Sequence, residues 1–181
     1  MRKTLSLVFF MLLFLLPLPL LADTIYSYTG NHFTSVTVPY TTSMSVSGSF
    51  TVAGGPLSCT AGCTVTPLSF NFYDGEQSIT NLNATNELIA ITTDGSGAII
   101  YWDFQIWDSD GTIRTQYYIS TFAVDEGLYY IGSQPYYGSN RGSHGIWSTS
   151  PASPAPEPAT LILLGSGLAG LAGVRRRKFL G

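Results

Sequence analysis

The sequence predicts an all-β ectodomain, a single antiparallel β-sandwich or barrel-like fold, followed by a proline-rich linker and one C-terminal transmembrane helix. Strand-like segments rich in β-branched and aromatic residues recur roughly every ten residues. Turn sequences such as Asp74-Gly75 and the loop 108–111 separate them. No segment between Asp23 and Ala155 shows a convincing helical apolar period, and this stretch is long enough for one domain with a real core.

Eight segments are predicted as strands, and a short ninth ends the ectodomain: Ile25–Thr29, Met44–Val52, Thr64–Tyr73, Ser78–Leu82, Leu88–Thr92, Ala98–Trp107, Thr112–Thr121, Leu128–Ile131 and Ile146–Ser148. In the clearest pattern, Ile99–Trp107, alternate residues from Ile100 to Ile106 should face the core. We expect this strand to form a hairpin with Thr112–Ser120 across the loop 108–111. The loop also resembles a calcium-binding loop, but an EF-hand needs a glutamate at its twelfth position, where this chain has Ile119.

The N-terminus has the features of a secretory signal peptide. Arg2 and Lys3 form a short basic region, an apolar run follows, and Ala22 supplies a small residue for cleavage. We therefore expect residues 1–22 to direct the chain to the Sec translocon and to be removed after Ala22. The alternative is an uncleaved N-terminal anchor.

The C-terminus predicts a membrane span. Residues 159–174 carry no charge and would form a helix of roughly 24 Å, slightly shorter than a hydrocarbon core of about 30 Å. Residues 175–181 begin with a run of cations that should stop transfer and remain in the cytoplasm: Arg175, Arg176, Arg177 and Lys178. The linker 149–158 and the ectodomain 23–148 would then lie outside the inner membrane.

The charge of the ectodomain and linker excludes one class of partner. Between Asp23 and Pro158, two arginines stand against eleven acidic residues, which gives a net charge of −9. A phosphate backbone would repel so acidic a surface, so nucleic-acid binding is not expected.

Cys59 and Cys63 are the chain's two cysteines. Export to an oxidising compartment favours a disulfide between them, worth about 2 kcal/mol for so small a loop. Zinc binding, a redox role and free thiols are the alternatives. Neither His32 nor His144 lies at a finger-like spacing, so no metal site is predicted.

Aromatic residues near the end of the ectodomain are candidate glycan contacts: Tyr136, Tyr137 and Trp147. The apolar face of a sugar ring packs on an aromatic ring, and nearby polar groups can bind its hydroxyls. The alternative is that these rings pack within the sandwich. The sequence contains no nucleophile elbow, metal-binding histidine pair or phosphate-binding loop, so we expect no catalytic residue, no cofactor and no enzyme activity.

Pro156-Glu157-Pro158, the short apolar span and the basic end together resemble the PEP-CTERM sorting signal of Gram-negative bacteria. The resemblance implies that a membrane-embedded exosortase recognises this tail and cuts near Pro156, Glu157 and Pro158. It also implies a temporary membrane hold, followed by delivery to the cell surface or extracellular matrix. We therefore expect an exported structural protein associated with exopolysaccharide or biofilm, with a carbohydrate-binding module as the alternative.

Overall fold

The computed structural model describes residues 22–118, 122–152 and Gly165. The strands in these residues are β1 Thr24–Thr29, β2 Ser35–Val36, β3 Ser47–Val52, β4 Cys63–Thr64, β5 Ser69–Tyr73, β6 Ser78–Thr80, β7 Asn86–Thr93, β8 Ile99–Trp107, β9 Gly111–Tyr118, β10 Phe122–Ile131, β11 Gln134–Arg141 and β12 Ile146–Pro151. Gly165 alone is helical. The all-β prediction for the ectodomain is confirmed, whereas the predicted linker from residue 153 and the transmembrane helix lie outside the described residues except for Gly165.

The strands form two antiparallel sheets. Sheet I has the order β12-β1-β3-β5-β6, and sheet II has the order β2-β11-β10-β9-β8-β7-β4. The first strand, β1, lies between β3 and β12, so both ends of the described ectodomain belong to sheet I. The two sheets are separate, each has two edge strands, and their inner faces pack on each other, which is the sandwich arrangement rather than a closed barrel.

The core between the sheets is largely aromatic. Phe104 of sheet II packs on Phe72 of sheet I with their ring centroids 4.1 Å apart, and Phe50 lies 6.3 Å from the same ring. All three side chains are fully buried. Burial of each such side chain stabilises the fold by roughly 1.5–3 kcal/mol, so this cluster is a major contributor to the stability of the domain.

The alternation predicted for β8 is confirmed at three of its four apolar positions. Trp102, Phe104 and Ile106 are buried, but Ile100 is 40% exposed. The pairing of β7 with β8 shifts at Thr92 and leaves Ile100 without a cross-strand partner. Such a β-bulge turns the extra residue out of the normal alternation.

The hairpin expected between β8 and β9 is confirmed. Its loop is closed by Asp108, whose Oδ1 accepts hydrogen bonds from the backbone N–H groups of Asp110 at 2.8 Å and Gly111 at 2.7 Å. An aspartate that bonds the backbone in this way builds an ordinary Asx turn. This is the turn chemistry that the hairpin interpretation requires.

The predicted disulfide is confirmed between Cys59 and Cys63, whose Cα atoms are 5.4 Å apart. Gly62 has a φ of 84° and donates its N–H to the carbonyl of Cys59 at 2.9 Å. A positive φ favours glycine, which explains the Cys-Thr-Ala-Gly-Cys turn. Cys63 then pairs with Ile91, so the disulfide loop leads directly into the edge of sheet II.

Two strands were not in the predicted set. β2 is only two residues long, and β11 contains proline, glycine, serine and asparagine, all poor strand formers. Pairing of the whole of β11 with residues 124–131 of β10 overrides that weak propensity. At the other end of the domain, β12 continues to Pro151, three residues into the segment predicted as linker.

Candidate functional site

The face of sheet II that points away from sheet I carries most of the chemically varied side chains. Its central row crosses four strands in register, from Gln105 through Arg114 and Glu126 to Ser139. Directly paired residues of an antiparallel sheet project to the same side. Because the residues between them along the chain, such as Phe104 and Ile113, are buried against sheet I, this row lies on the outer face.

The two arginines of the ectodomain meet on this outer face. Arg114 Nη2 lies 3.0 Å from Glu126 Oε2, and Arg141 Nη2 lies 3.2 Å from the same oxygen. The Arg141 side chain is 67% exposed, whereas that of Arg114 is 28% exposed. One carboxylate of β10 is therefore shared by guanidinium groups from the strands on its two sides, β9 and β11, and the Arg141 guanidinium faces solvent.

A shallow groove of about 440 Å³ lies beside this ion cluster. It is lined by Thr34, Ser35, Glu126, Leu128, Tyr137, Ser139 and Arg141, and we call it the Tyr137 groove. Glu126 pairs with Ser139, and Ser139 pairs with Ser35, so these three residues cross the groove. Leu128 pairs with Tyr137 on one side, and Arg141 lies on the other. The groove thus combines an aromatic ring, hydroxyl groups and a guanidinium.

A second polar group lies on the same face around Asp103. Its Oδ1 accepts hydrogen bonds from Gln105 Nε2 at 2.7 Å and Gln116 Nε2 at 2.6 Å, and its Oδ2 accepts one from the Tyr118 hydroxyl. Burial and the Asp103 hydrogen bond raise the pKa of Tyr118 above its usual range. Each carboxylate oxygen of Asp103 already accepts a hydrogen bond. The carboxylate therefore holds the side chains of Gln105, Gln116 and Tyr118 in place and is not free to bind a ligand. It borders another groove, of about 380 Å³, lined in part by Tyr101 and Thr92.

The three predicted glycan contacts do not share one surface. Tyr137 is 39% exposed and lines the groove, but Tyr136 and Trp147 pack against the core. The Trp147 ring lies 4.9 Å from the Tyr28 ring and 5.5 Å from the Phe50 ring. Tyr136 and Tyr137 are neighbours on a strand, so they necessarily face opposite sides of the sheet.

Sequence reasoning missed the ionic part of this face. Arg114 and Arg141 are the two cations between Asp23 and Pro158, and that isolation was the available sequence signal for a shared role. What the sequence lacked was the register that places both beside Glu126. The positions of these residues in the sequence do not reveal their contact, because Arg114, Glu126 and Arg141 lie on three different strands.

Two buried aspartates lie away from the outer face, and each is bound by a tyrosine. The Tyr28 hydroxyl donates to Asp125 Oδ1 at 2.7 Å, and the Tyr40 hydroxyl donates to Asp74 Oδ2 at 2.7 Å. Burial raises the pKa of Asp125 to about 6, although hydrogen bonds from Thr115 and Tyr28 oppose the shift. Burial likewise raises the pKa of both tyrosines well above their usual range. The Tyr28–Asp125 pair joins sheet I to sheet II, and the Tyr40–Asp74 pair joins the loop between β2 and β3 to the turn between β5 and β6.

Within residues 22–118 and 122–152, no group of three histidine, cysteine or acidic side chains is placed to hold a metal ion. In the same part of the chain, no helix is long and apolar enough to cross a membrane. Of the predicted topogenic residues, Ala22 is the one that the structure describes; it precedes β1 by two positions. Pro156, Glu157, Pro158 and the cations Arg175, Arg176, Arg177 and Lys178 lie outside the described residues.

Comparison with protein families identifies the tail. Residues 154–178 match the family described as the PEP-CTERM protein-sorting motif. The chain carries a PEP-CTERM sorting signal. This signal marks exosortase substrates, so the protein is made as a membrane-anchored precursor, is exported to the cell surface, and has exosortase as its processing partner. No curated protein and no solved structure matched the chain.

The PEP-CTERM match contains each part of the predicted signal, from Pro156 through the apolar segment to Lys178. It begins two residues after Ala152, the last described residue of the sandwich. Ala152 donates its backbone N–H to the carbonyl of Asp23 at 2.6 Å. The predicted signal-peptide cleavage position and Ala152, the last described residue before the sorting signal, therefore lie at the same end of the sandwich.

Proposed function

We propose that this protein is a structural component of an extracellular polymer, delivered through its PEP-CTERM signal and retained by association with exopolysaccharide or biofilm matrix. The sorting signal at residues 154–178 is the observation that carries the proposal. The ectodomain suits that use because two sheets and a disulfide form a compact, acidic body without needing a cofactor. Export through the Sec translocon and removal of residues 1–22 complete the proposed route.

Fractionation of the producing cells tests the matrix association. The processed protein should be found with the extracellular polymer in wild-type cells and free in the medium of cells that make no polymer. An identical distribution in both kinds of cell would contradict the proposal. Treatment of the wild-type matrix with a polysaccharide-degrading enzyme should release the protein, which serves as an independent control.

Replacement of Pro156, Glu157 and Pro158 by alanine tests the processing step. We expect the altered protein to remain full-length in the inner membrane, because the enzyme would lose its recognition sequence. Immunoblotting of membrane and extracellular fractions measures the result. Normal processing of the triple variant would show that this tripeptide is not required, while Ser153→Ala, outside both β12 and the matched motif, controls for an alanine change nearby.

We further propose that the ectodomain acts by structure and binding, not by catalysis. The buried carboxylates of Asp74 and Asp125 support this, because tyrosine hydroxyls bind them inside the sandwich. Asp103 is likewise bonded at each oxygen. A general acid or base needs a carboxylate within reach of a substrate proton. Hydrolysis of polysaccharide or peptide substrates by the purified protein would contradict the proposal.

Carbohydrate binding is the second candidate function, and the Tyr137 groove favours it. Tyr137 presents an exposed ring beside the hydroxyl-bearing residues Ser35 and Ser139. Stacking of a sugar on this ring and hydrogen bonding to its hydroxyls is a common mode of glycan recognition. On this basis Tyr137→Ala should weaken binding to the cell's own polysaccharide, whereas Trp147→Ala should chiefly lower stability because Trp147 lies in the core.

A further inference from the structure

The distribution of charge singles out one part of the ectodomain surface. Arg114 and Arg141 are the two cations in a stretch whose net charge is −9, and they meet at a single carboxylate. Two cations against Glu126 leave a local excess of one positive charge. At physiological salt the Debye length is about 8 Å. For a ligand segment confined to this groove, the local positive charge therefore matters more than the net charge of −9, which repels a polyanion lying across the whole domain.

Arg141 has capacity beyond its contact with Glu126. It is 67% exposed and donates to Glu126 from Nη2, while a guanidinium carries five N–H donors. Arg114 lies directly opposite Glu126 in the register and already forms a cross-strand ion pair with it. The second arginine therefore leaves guanidinium N–H groups for a carboxylate from outside the protein.

The groove has the length of more than one sugar unit. Tyr137 and Arg141 are four residues apart on β11, so their Cα atoms are separated by roughly 13 Å on the same face of the strand. Ser139 lies between them, and Ser35 is its cross-strand partner. An oligosaccharide lying along β11 would place one ring on Tyr137, hydroxyls over the exposed Ser35 with the buried Ser139 beneath them, and a carboxylate at Arg141.

We propose that the Tyr137 groove binds a uronate-containing, acidic polysaccharide, with Tyr137 stacking on a sugar ring and Arg141 pairing with a uronate carboxylate. Arg114 holds Glu126 on the far side and thereby positions the cluster. The inference rests on the proposed matrix association and specifies its ligand class. The local positive charge favours a sugar with a carboxylate over a neutral sugar. The geometry agrees, because planar guanidinium and carboxylate groups can form two parallel hydrogen bonds.

Binding to immobilised polygalacturonate tests the proposal with the full-length chain, exported through its own signal and purified in detergent. The protein should be retained, neutral galactan should not compete, and retention should fall with added salt. Arg141→Ala and Tyr137→Ala should each weaken binding about tenfold or more, whereas Arg141→Lys should lose less. Phe122→Ala is the matched control, an exposed aromatic of the same face outside the groove, and should bind like wild type.

Glu126→Gln separates a binding role from a purely structural one. Removal of the internal carboxylate frees both arginines, so affinity for polygalacturonate should rise even if the melting temperature falls. A cluster that only stabilises the sheet would lose stability with no gain in binding. Unchanged or weaker binding by a folded Glu126→Gln variant would overturn the proposal.

Three other results would also overturn it: no retention of wild type, equal competition by neutral galactan, or equal retention of dextran sulfate. The matrix proposal fails by a different measurement. A wild-type protein that ignores polygalacturonate but still fractionates with the cell's polymer would remove the acidic ligand and leave the matrix association. A protein that binds polygalacturonate but is found free in the medium would support the acidic ligand and remove the matrix association.

Discussion

Asp125 illustrates how one residue can couple this fold to pH. It is fully buried, its Oδ1 accepts from the Tyr28 hydroxyl, and its Oδ2 has no partner among the described residues. Burial raises its pKa from an ordinary value of 3.8 to about 6. The folded state therefore holds the proton more tightly than the unfolded state does. The stabilisation from this group is complete below about pH 4 and is lost as the pH rises through about 6.

We predict that the free energy of unfolding decreases between pH 4 and pH 7 by up to about 3 kcal/mol through Asp125. Asp125→Asn has no charge to bury, so that part of the pH dependence should disappear. Chemical denaturation of both proteins across this range measures the difference, and Asp110→Asn, in the exposed turn 108–111, is the control. Parallel pH profiles for wild type and Asp125→Asn would contradict the assignment.

Tyr28 makes the same junction from the opposite sheet. Its hydroxyl donates to Asp125 at 2.7 Å and accepts the backbone N–H of Gly145 at 2.9 Å. Tyr28→Phe should destabilise the domain by roughly 2–3 kcal/mol, because it leaves a buried carboxylate and a buried N–H without this partner. Thermal or denaturant unfolding measures the loss. Tyr130→Phe, at an exposed position, should be close to neutral.

At the scale of elements, β12 determines where the folded domain ends. Thr149, Ser150 and Pro151 pair with Tyr26, Ile25 and Thr24. Earlier in the same strand, Trp147 contributes its ring to the aromatic core. The edge of β1 is therefore covered by β12, the last of the ectodomain strands to be translated.

Ectodomain fragments with different ends test the role of β12. A fragment 23–152 should unfold at a higher denaturant concentration than a fragment 23–148, because the shorter one loses the last three pairs with β1. A fragment 23–145 lacks β12 entirely and should not fold cooperatively, since it loses all six pairs with β1 and the Trp147 ring that packs against the core. Equal midpoints for the first two fragments would show that residues 149–152 belong functionally to the linker.

At the scale of the whole molecule, the two ends of the sandwich meet. Asp23 accepts a hydrogen bond from Ala152, and β1 cannot complete its pairing until β12 has been exported. Ala152 and Pro156 are four residues apart, a span of at most about 14 Å at full extension. The processing enzyme must therefore reach the sorting signal close to the folded domain.

Deletion of residues 153–155 should slow processing, because the body of the sandwich would then press against the membrane-embedded enzyme. Replacement of the same residues by Gly-Ser-Gly preserves the length and is the matched control. Pulse-chase labelling of the precursor gives the rate of conversion. Equal rates for the deletion and the replacement would mean that the distance between the domain and Pro156 has no effect on processing.

The sequence by itself determined the C-terminal sorting signal of this protein and the all-β class of its ectodomain. The sorting signal is a contiguous pattern of prolines, apolar residues and cations, and the alternation from Trp102 to Ile106 is local to one strand. Such features follow from neighbouring residues, so they can be read before the chain is folded. The disulfide also belongs here, because Cys59 and Cys63 close a short turn that the sequence contains whole.

Only the tertiary structure decided which faces meet. Tyr136 and Tyr137 are adjacent in sequence but face opposite sides of sheet II, and Trp147 packs in the core. Arg114 and Arg141 belong to different strands, yet both contact Glu126. β11 forms because β10 supplies its hydrogen-bond partners, not because its own residues favour a strand. Register between distant strands is set by burial and pairing over the whole sheet, which a local pattern does not contain.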